Sequence, residues 1–426
     1  MGRGTGANTK LAFAFESTYG TPPGAGYVQM PFVSEGLGDE QPLVASNLLG
    51  QGREPLPPSL DVITNNGDLV VPLDLRYFGF WLKLLFGAPT STQGTAAIGS
   101  IEFSDQPATA MAITIGGADL TFKSATPGAD ECLIGATLAE TLANAVIALN
   151  ASTTAALKSQ SYSLNVDGKT IDIVSDTIGV GGNSVTLAAD VGSNATVSGA
   201  TLSGGSATGP YNHVFTSGGL TLPSAAVEVG VLDVPSYGMN FGVAADKLAI
   251  QLETSGNLNA TISLIAQGEK KAKTSSAGTP TELVLERFTN FSAQVSRDGV
   301  PLANLTGGTY NYANGLDPVR VIRPDGRIAG VDPGVIAVTG KNDMRFADTT
   351  FIDLAVNNTP VEFVHEWAIT SAKKLRIVTH YAFLPKPKTP VTGPGGIQAS
   401  FDWQAAKHPV LAKTCTATLI NDKPSY

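Results

Sequence analysis

The 426-residue sequence predicts a mainly-β chain with one flanking α-helix and an inserted small α+β module. Three observations carry that prediction. First, 47 glycines and 26 prolines punctuate the chain while only 15% of residues are charged. That composition suits many short strands joined by turns rather than long solvated helices. Second, clean alternation recurs: Leu258, Ala260, Ile262 and Leu264 interleave with Asn257, Asn259, Thr261 and Ser263, giving one buried and one wet face. Third, a single stretch outside the module, residues 75–86, has strong helical periodicity.

Residues 1–65 read as an arm with a short strand at 11–15 and a long loop at 36–60 carrying Gly36, Gly38, Gly50, Gly52, Pro55, Pro57 and Pro58. Such a segment buries little alone, so it wraps its own domain or docks on a neighbour. Asn66-Gly67 then supplies a turn, and Pro72 confines the strand at 69–73 to an edge or a strand end. In the helix that follows, Leu75, Phe78, Leu82 and Leu85 recur at helical spacing, and Tyr77, Trp81 and Leu84 widen the apolar surface. Only Arg76 and Lys83 are charged, and Gly87 and Pro89 stop it. About twelve residues at 1.5 Å each cannot cross a bilayer. A helix apolar nearly all round needs cover on several sides, from its own sheet or from another copy of the chain. Phe78, Trp81 and Leu85 are the candidates for contact with that copy.

Residues 96–206 are rich in Ala, Gly, Ser and Thr and hold three lysines against ten acidic residues, a net of −7. Their order reads strand, strand, helix, hairpin, strand. Thr137-Leu-Ala-Glu140 is a capping box before a helix, and Asp167-Gly168 marks a hairpin. The chain thus divides into 1–95, 96–206 and 207–426, the middle piece inserted into a host domain. Further on, Asp298-Gly299 joins strands at 291–296 and 300–305. One strand presents Leu375, Ile377, Thr379, Tyr381 and Phe383 on one face, the last presents Cys415, Ala417 and Leu419, and residues 385–396 form a Pro- and Gly-rich loop between them.

A formal charge of −9 argues against a surface that grips phosphates, though not against one past which nucleic acid slides. Cys132 and Cys415 are too few for a disulfide framework or a zinc cluster. The histidines His213, His365, His380 and His408 show no HExxH spacing, and Gly179–Gly182 lacks the lysine of a phosphate loop. We therefore expect no catalytic, cofactor or metal site. His365-Glu366 as a general base pair is the weaker alternative to a merely structural pair. No hydrophobic signal core or membrane span is present in the sequence. The densest charge cluster, Arg320, Arg323 and Arg327 with Asp317 and Asp325, is either a salt-bridged loop or a contact to a neighbouring subunit.

The stretches ESTYGTPP, GDLVVPLDLRYFGFWLKLLFG, YNHVFTSGGLTLPSAAVEVGV, FSAQVSRDGVP and PVTGPGGIQASFDWQAA occur in this order. In that order the chain resembles the major tail tube proteins of long-tailed, siphovirus-type bacteriophages. The resemblance implies a β-sandwich or barrel with one flanking helix, six copies closing into a ring, and rings stacking into a hollow conduit through which phage DNA passes without specific binding. It further implies tape-measure, tail terminator and distal tail proteins as partners, assembly in the host cytoplasm, a place in the virion, and the inserted module on the tube exterior. An acidic lumen would repel DNA, but much of the negative charge lies in the module. The alternatives are a virion decoration or receptor-binding adhesin, which the module's composition keeps open, and a hydrolase with an unrecognised catalytic group.

Overall fold

The computed structural model describes residues 3–49, 52–386, 388 and 396–426, so the loop expected at 385–396 lies largely outside the described residues. Two layers of mostly antiparallel strands enclose the main core. The first layer is a continuous run. Ser34–Glu35 and Asp39–Glu40 pair with Thr64–Pro72, which pairs with Asn259–Ala266, then the second half of Ser236–Leu252, then Leu305–Ala313. Ala337–Arg345 and Gln398–Ala405 follow, and the last two residues of Lys373–Phe383 close the run.

The second layer comprises two smaller groups. Thr9–Phe15, Ala225–Val231, the first half of Ser236–Leu252 and Gly268–Ala272 form one. The other contains Ala293–Arg297, Val361–Thr370, Lys373–Phe383, Cys415–Asn421, Ser206–Thr216 and the start of Thr90–Phe103. Ser236–Leu252 serves both layers because it bends at Gly242, whose φ of 62° suits glycine.

The alternation expected around Ile262 is present: along Asn259–Ala266 every second residue is buried. Cys415, Ala417 and Leu419 likewise face the core. The strand expected to bury Tyr381 and Phe383 does so only as far as Thr379. His380 and Tyr381 stand opposite Glu362 alone, a bulge that turns Ala382 inward and leaves Tyr381 and Phe383 half-buried. At Asp298-Gly299 both residues have positive φ, as a tight two-residue hairpin needs. The returning strand is only Val300–Pro301, and Leu305 begins a separate strand.

The helix begins at Phe78, three residues later than the periodicity indicated. The Asp74 carboxylate accepts N–H bonds from Arg76 (3.0 Å), Tyr77 (2.9 Å) and Phe78 (2.8 Å) and so holds residues 75–77 in a capping turn. At the other end Gly87 takes a φ of 93° and donates to the Lys83 carbonyl at 2.9 Å. Tyr426 lies flat over Gly79, where an added Cβ would come within 2.2 Å of its ring. A second helix, Thr350–Val356, was not expected from the sequence, because seven residues make too few turns to show a periodicity.

The N-terminal 65 residues are less arm-like than their composition implies. Leu11 and Phe13 are fully buried in the sheet, and among the described residues 41–49 and 52–62 are mostly exposed, with Leu43–Val44 paired to Ser59–Leu60 as a ribbon. The inserted module has its own core around Phe103, Phe122, Leu142, Val146 and Ile171. Its strands Thr90–Phe103 and Ser206–Thr216 run unbroken from the host sheet into or up to the module, so the division falls within strands rather than at loops. Thr137 Oγ1 accepts from Glu140 N at 3.2 Å as a capping box requires, while the Glu140 carboxylate bonds Ala136 N instead of the cap residue itself. Glu131–Leu133, parallel to Ala118–Lys123, is a strand the sequence did not announce.

Candidate functional site

The two faces of the continuous sheet differ. One carries Leu69, Val71, Leu248, Ile250, Ile262, Leu264, Tyr310, Tyr312, Phe401 and Trp403 into the core. The other is open. Because partners in register share a face, it can be followed across the strands: Val70, Thr261, Ala249, Asn311, Thr339 and Gln404 form one row. A second row runs Gln251, Thr309, Lys341, Asp402, and a third starts Asp68, Ser263, Lys247.

Along these six strands, from Thr64–Pro72 to Gln398–Ala405, the charged side chains in register on the open face are Asp68, Asp343 and Asp402 against Lys247, Lys341 and Arg345. They balance, and several are paired or hydrogen-bonded locally. Lys341 Nζ lies 2.8 Å from Asp343, and Ser263 donates to Asp68 at 2.6 Å. Otherwise the face is mostly Thr, Ser, Asn and Gln. The acidity of the chain therefore lies elsewhere, and this surface neither attracts nor strongly repels a polyanion.

Of the six residues singled out as subunit contacts, three are covered by the chain itself. Phe78, Trp81 and Leu85 are 0%, 1% and 0% exposed. Trp81 meets Phe13 edge-on at 5.0 Å and Phe86 lies 4.4 Å from Tyr312, so the helix fills the space between the layers and offers no neighbour these side chains. The sequence showed that the helix needed cover but not that one chain could supply it all. Arg327 is also engaged internally: it makes a bidentate pair with Asp39 (2.7 and 3.2 Å) and sits over the Phe241 ring. Arg323 forks onto Asp325 (3.0 and 2.8 Å) at the surface. Arg320 is exposed, next to exposed Val321 and Ile322.

Among the described residues, chemically reactive groups do not converge. His365 is fully buried with neither ring nitrogen hydrogen-bonded, and burial depresses its pKa to about 4. Glu366 points the other way, to Lys374 at 3.3 Å, so the two are not a pair. Burial pushes the Cys132 thiol up to about 12 and that of Cys415 to about 11, which keeps both protonated at neutral pH. Among the described residues no group of three His, Cys, Asp or Glu side chains is placed to hold a metal, and no helix is long and apolar enough to cross a membrane.

A model of the phage tail tube protein family matches residues 6–405. The chain belongs to the phage tail tube protein family. No curated protein matches it. As a tail tube protein it is a structural component of the virion tail that self-assembles into a tube, and its mainly-β sandwich is consistent with that family. The match runs through both strand groups and across the inserted module, so it covers the open face throughout.

Proposed function

We propose that copies of this tail tube protein close edge to edge into rings, and that the rings stack into a hollow conduit whose bore is lined by the open polar face. The observation that carries this reading is a broad sheet with a fully packed inner side and an outer side of uncharged hydrogen-bonding groups and balanced ions. Hydroxyls and amides hold a water layer over which phosphates slide, whereas clustered Lys and Arg would retain them. Phage DNA passes without being bound, as in delivery from a long, siphovirus-type tail assembled in the host cytoplasm. Tape-measure, tail terminator and distal tail proteins meet the bore and the two tube ends.

Two projecting segments supply contacts between stacked rings. Residues 41–62 expose Leu43, Val44, Leu48, Leu49 and Leu60, and the second, 314–336, exposes Val321, Ile322 and Val335 beside Arg320 and Arg323. Apolar side chains this exposed on long ribbons are suited to cover by another subunit. The module 96–206 sits on the exterior, away from the bore. Negative-stain microscopy of the purified protein tests the reading: open rings or tubes support it, and compact particles with no channel contradict it.

A further inference from the structure

One pattern of strand pairing occurs twice in this chain. Thr9–Phe15 pairs with Val28–Met30 and Ala225–Val231, and Ala293–Arg297 pairs with Val300–Pro301 and Val361–Thr370. Ser236–Leu252 pairs with Ala225–Val231, Asn259–Ala266 and Gly268–Ala272; Lys373–Phe383 pairs in the same order with Val361–Thr370, Gln398–Ala405 and Cys415–Asn421. Thr64–Pro72 joins Asn259–Ala266 as Ala337–Arg345 joins Gln398–Ala405.

Details repeat as well. The pairs Asp39↔Asn65 and Tyr312↔Val338 each enclose 25 residues, 40–64 and 313–337, and each enclosed segment carries its own small two-stranded ribbon. Each is followed by a helix, with Phe78 and Phe351 both 13 residues past the pair and both buried. The bulge recurs in register: Phe241 and Gly242 face Ala226 alone, as His380 and Tyr381 face Glu362 alone. The module and its two connecting strands are inserted between helix and next strand in the first unit, where the second has only a short turn at 357–360.

The two units are already joined as neighbours. Lys247–Leu252 of the first pairs in register with Gly308–Ala313 of the second. Alongside, the second unit's ribbon reaches back: Arg327 pairs with Asp39, and Gly326 O accepts from Ile63 N at 3.0 Å. The opposite ends of the run are the outer edge of residues 33–40 in the first unit and the Lys373–Phe383/Gln398–Ala405 edge in the second.

We propose that these two end edges join between copies as the units join within one, so that a ring contains three chains and six tube units. This rests on the tube reading above and replaces six chains by six units. Bore size favours three. With residues 34–40 counted as one position, each chain brings eight strands to the wall. At about 4.8 Å between strands and a tilt of about 40°, sixteen strands give roughly 32 Å between backbones and twenty-four roughly 48 Å. Side chains take about 10–12 Å of that. Two chains thus leave only the width of a bare duplex, and three leave room for a hydrated one.

The test is the mass and symmetry of rings assembled from the full chain, by native mass spectrometry and electron microscopy. Three chains of 43.9 kDa give rings of about 132 kDa. Their end-on averages should show six wall lobes with a module on every second one. Hollow rings of six chains, or with a module on every lobe, overturn the proposal and leave the tube reading standing. Particles without a bore overturn the tube reading itself.

Discussion

His365 lies at the centre of the second unit's core, against Tyr310 (5.4 Å between ring centroids) and Trp403 (6.0 Å), and nothing bonds either ring nitrogen. Its charged form is excluded, so its pKa falls from 6.5 to about 4. A group depressed in the folded state contributes stability that is complete above its unfolded pKa and is lost as pH falls through the folded one. The window here is pH 6.5 to 4. Linkage gives a loss of about 2 kcal/mol between pH 7.5 and pH 5, of about 3.4 kcal/mol in all. Asp74 acts in the opposite sense: burial raises its carboxyl to about 6, so its ionisation costs stability as pH rises from about 4 through 6. Only a difference between variants isolates the histidine. His365→Phe keeps a ring in the site and removes the titration. Urea unfolding of unassembled protein, followed by tryptophan fluorescence at pH 7.5, 6 and 5, should show the variant gaining on the wild type by about 2 kcal/mol across that range. A constant difference at the three pH values would refute the reasoning.

Trp81→Ala should cost about 3–5 kcal/mol in single-chain unfolding, since the side chain is covered by its own fold; near-normal stability with lost ring formation would return it to an interface. Deleting residues 96–206 and bridging Thr95 to Ala207 with Asn-Gly should leave tubes intact, because the module's core is separate; a folded deletion protein that no longer assembles in microscopy would show the module is part of the wall. Thr309→Lys, Asn311→Lys and Thr339→Lys together should make assembled tubes retain short duplex DNA at low salt and release it at high salt, while wild-type tubes retain none. Equal retention in a gel-shift titration would remove this face from the bore.

Much of the fold was legible because local chemistry and burial agreed. The alternation around Ile262, the glycine turn at 298–299 and the N-cap at Thr137 each specify one structure whatever lies around them. The helix at Phe78 was legible as an object needing cover, but its cover comes from Phe13 and Tyr312 on strands far away in sequence and from Tyr426, and no periodicity reports that. The duplication was hidden for a related reason. The correspondence lies in pairing and loop length, the second helix is only Thr350–Val356, and residues 96–206 separate corresponding parts of the first half. The open face was invisible as a site because Thr, Ser, Asn and Gln on alternating positions are what any wet sheet face carries. Only register across six strands shows that they form one balanced surface.

The central claim is that this face bounds an empty channel. A cryo-electron microscopy map of the assembled protein tests it most directly. The account predicts a hollow tube with Thr309, Asn311, Thr339 and Gln404 facing the bore and the Phe78 helix inside the wall contributed by each chain. A map in which that row is pressed against protein, or in which no channel runs through the assembly, would contradict it.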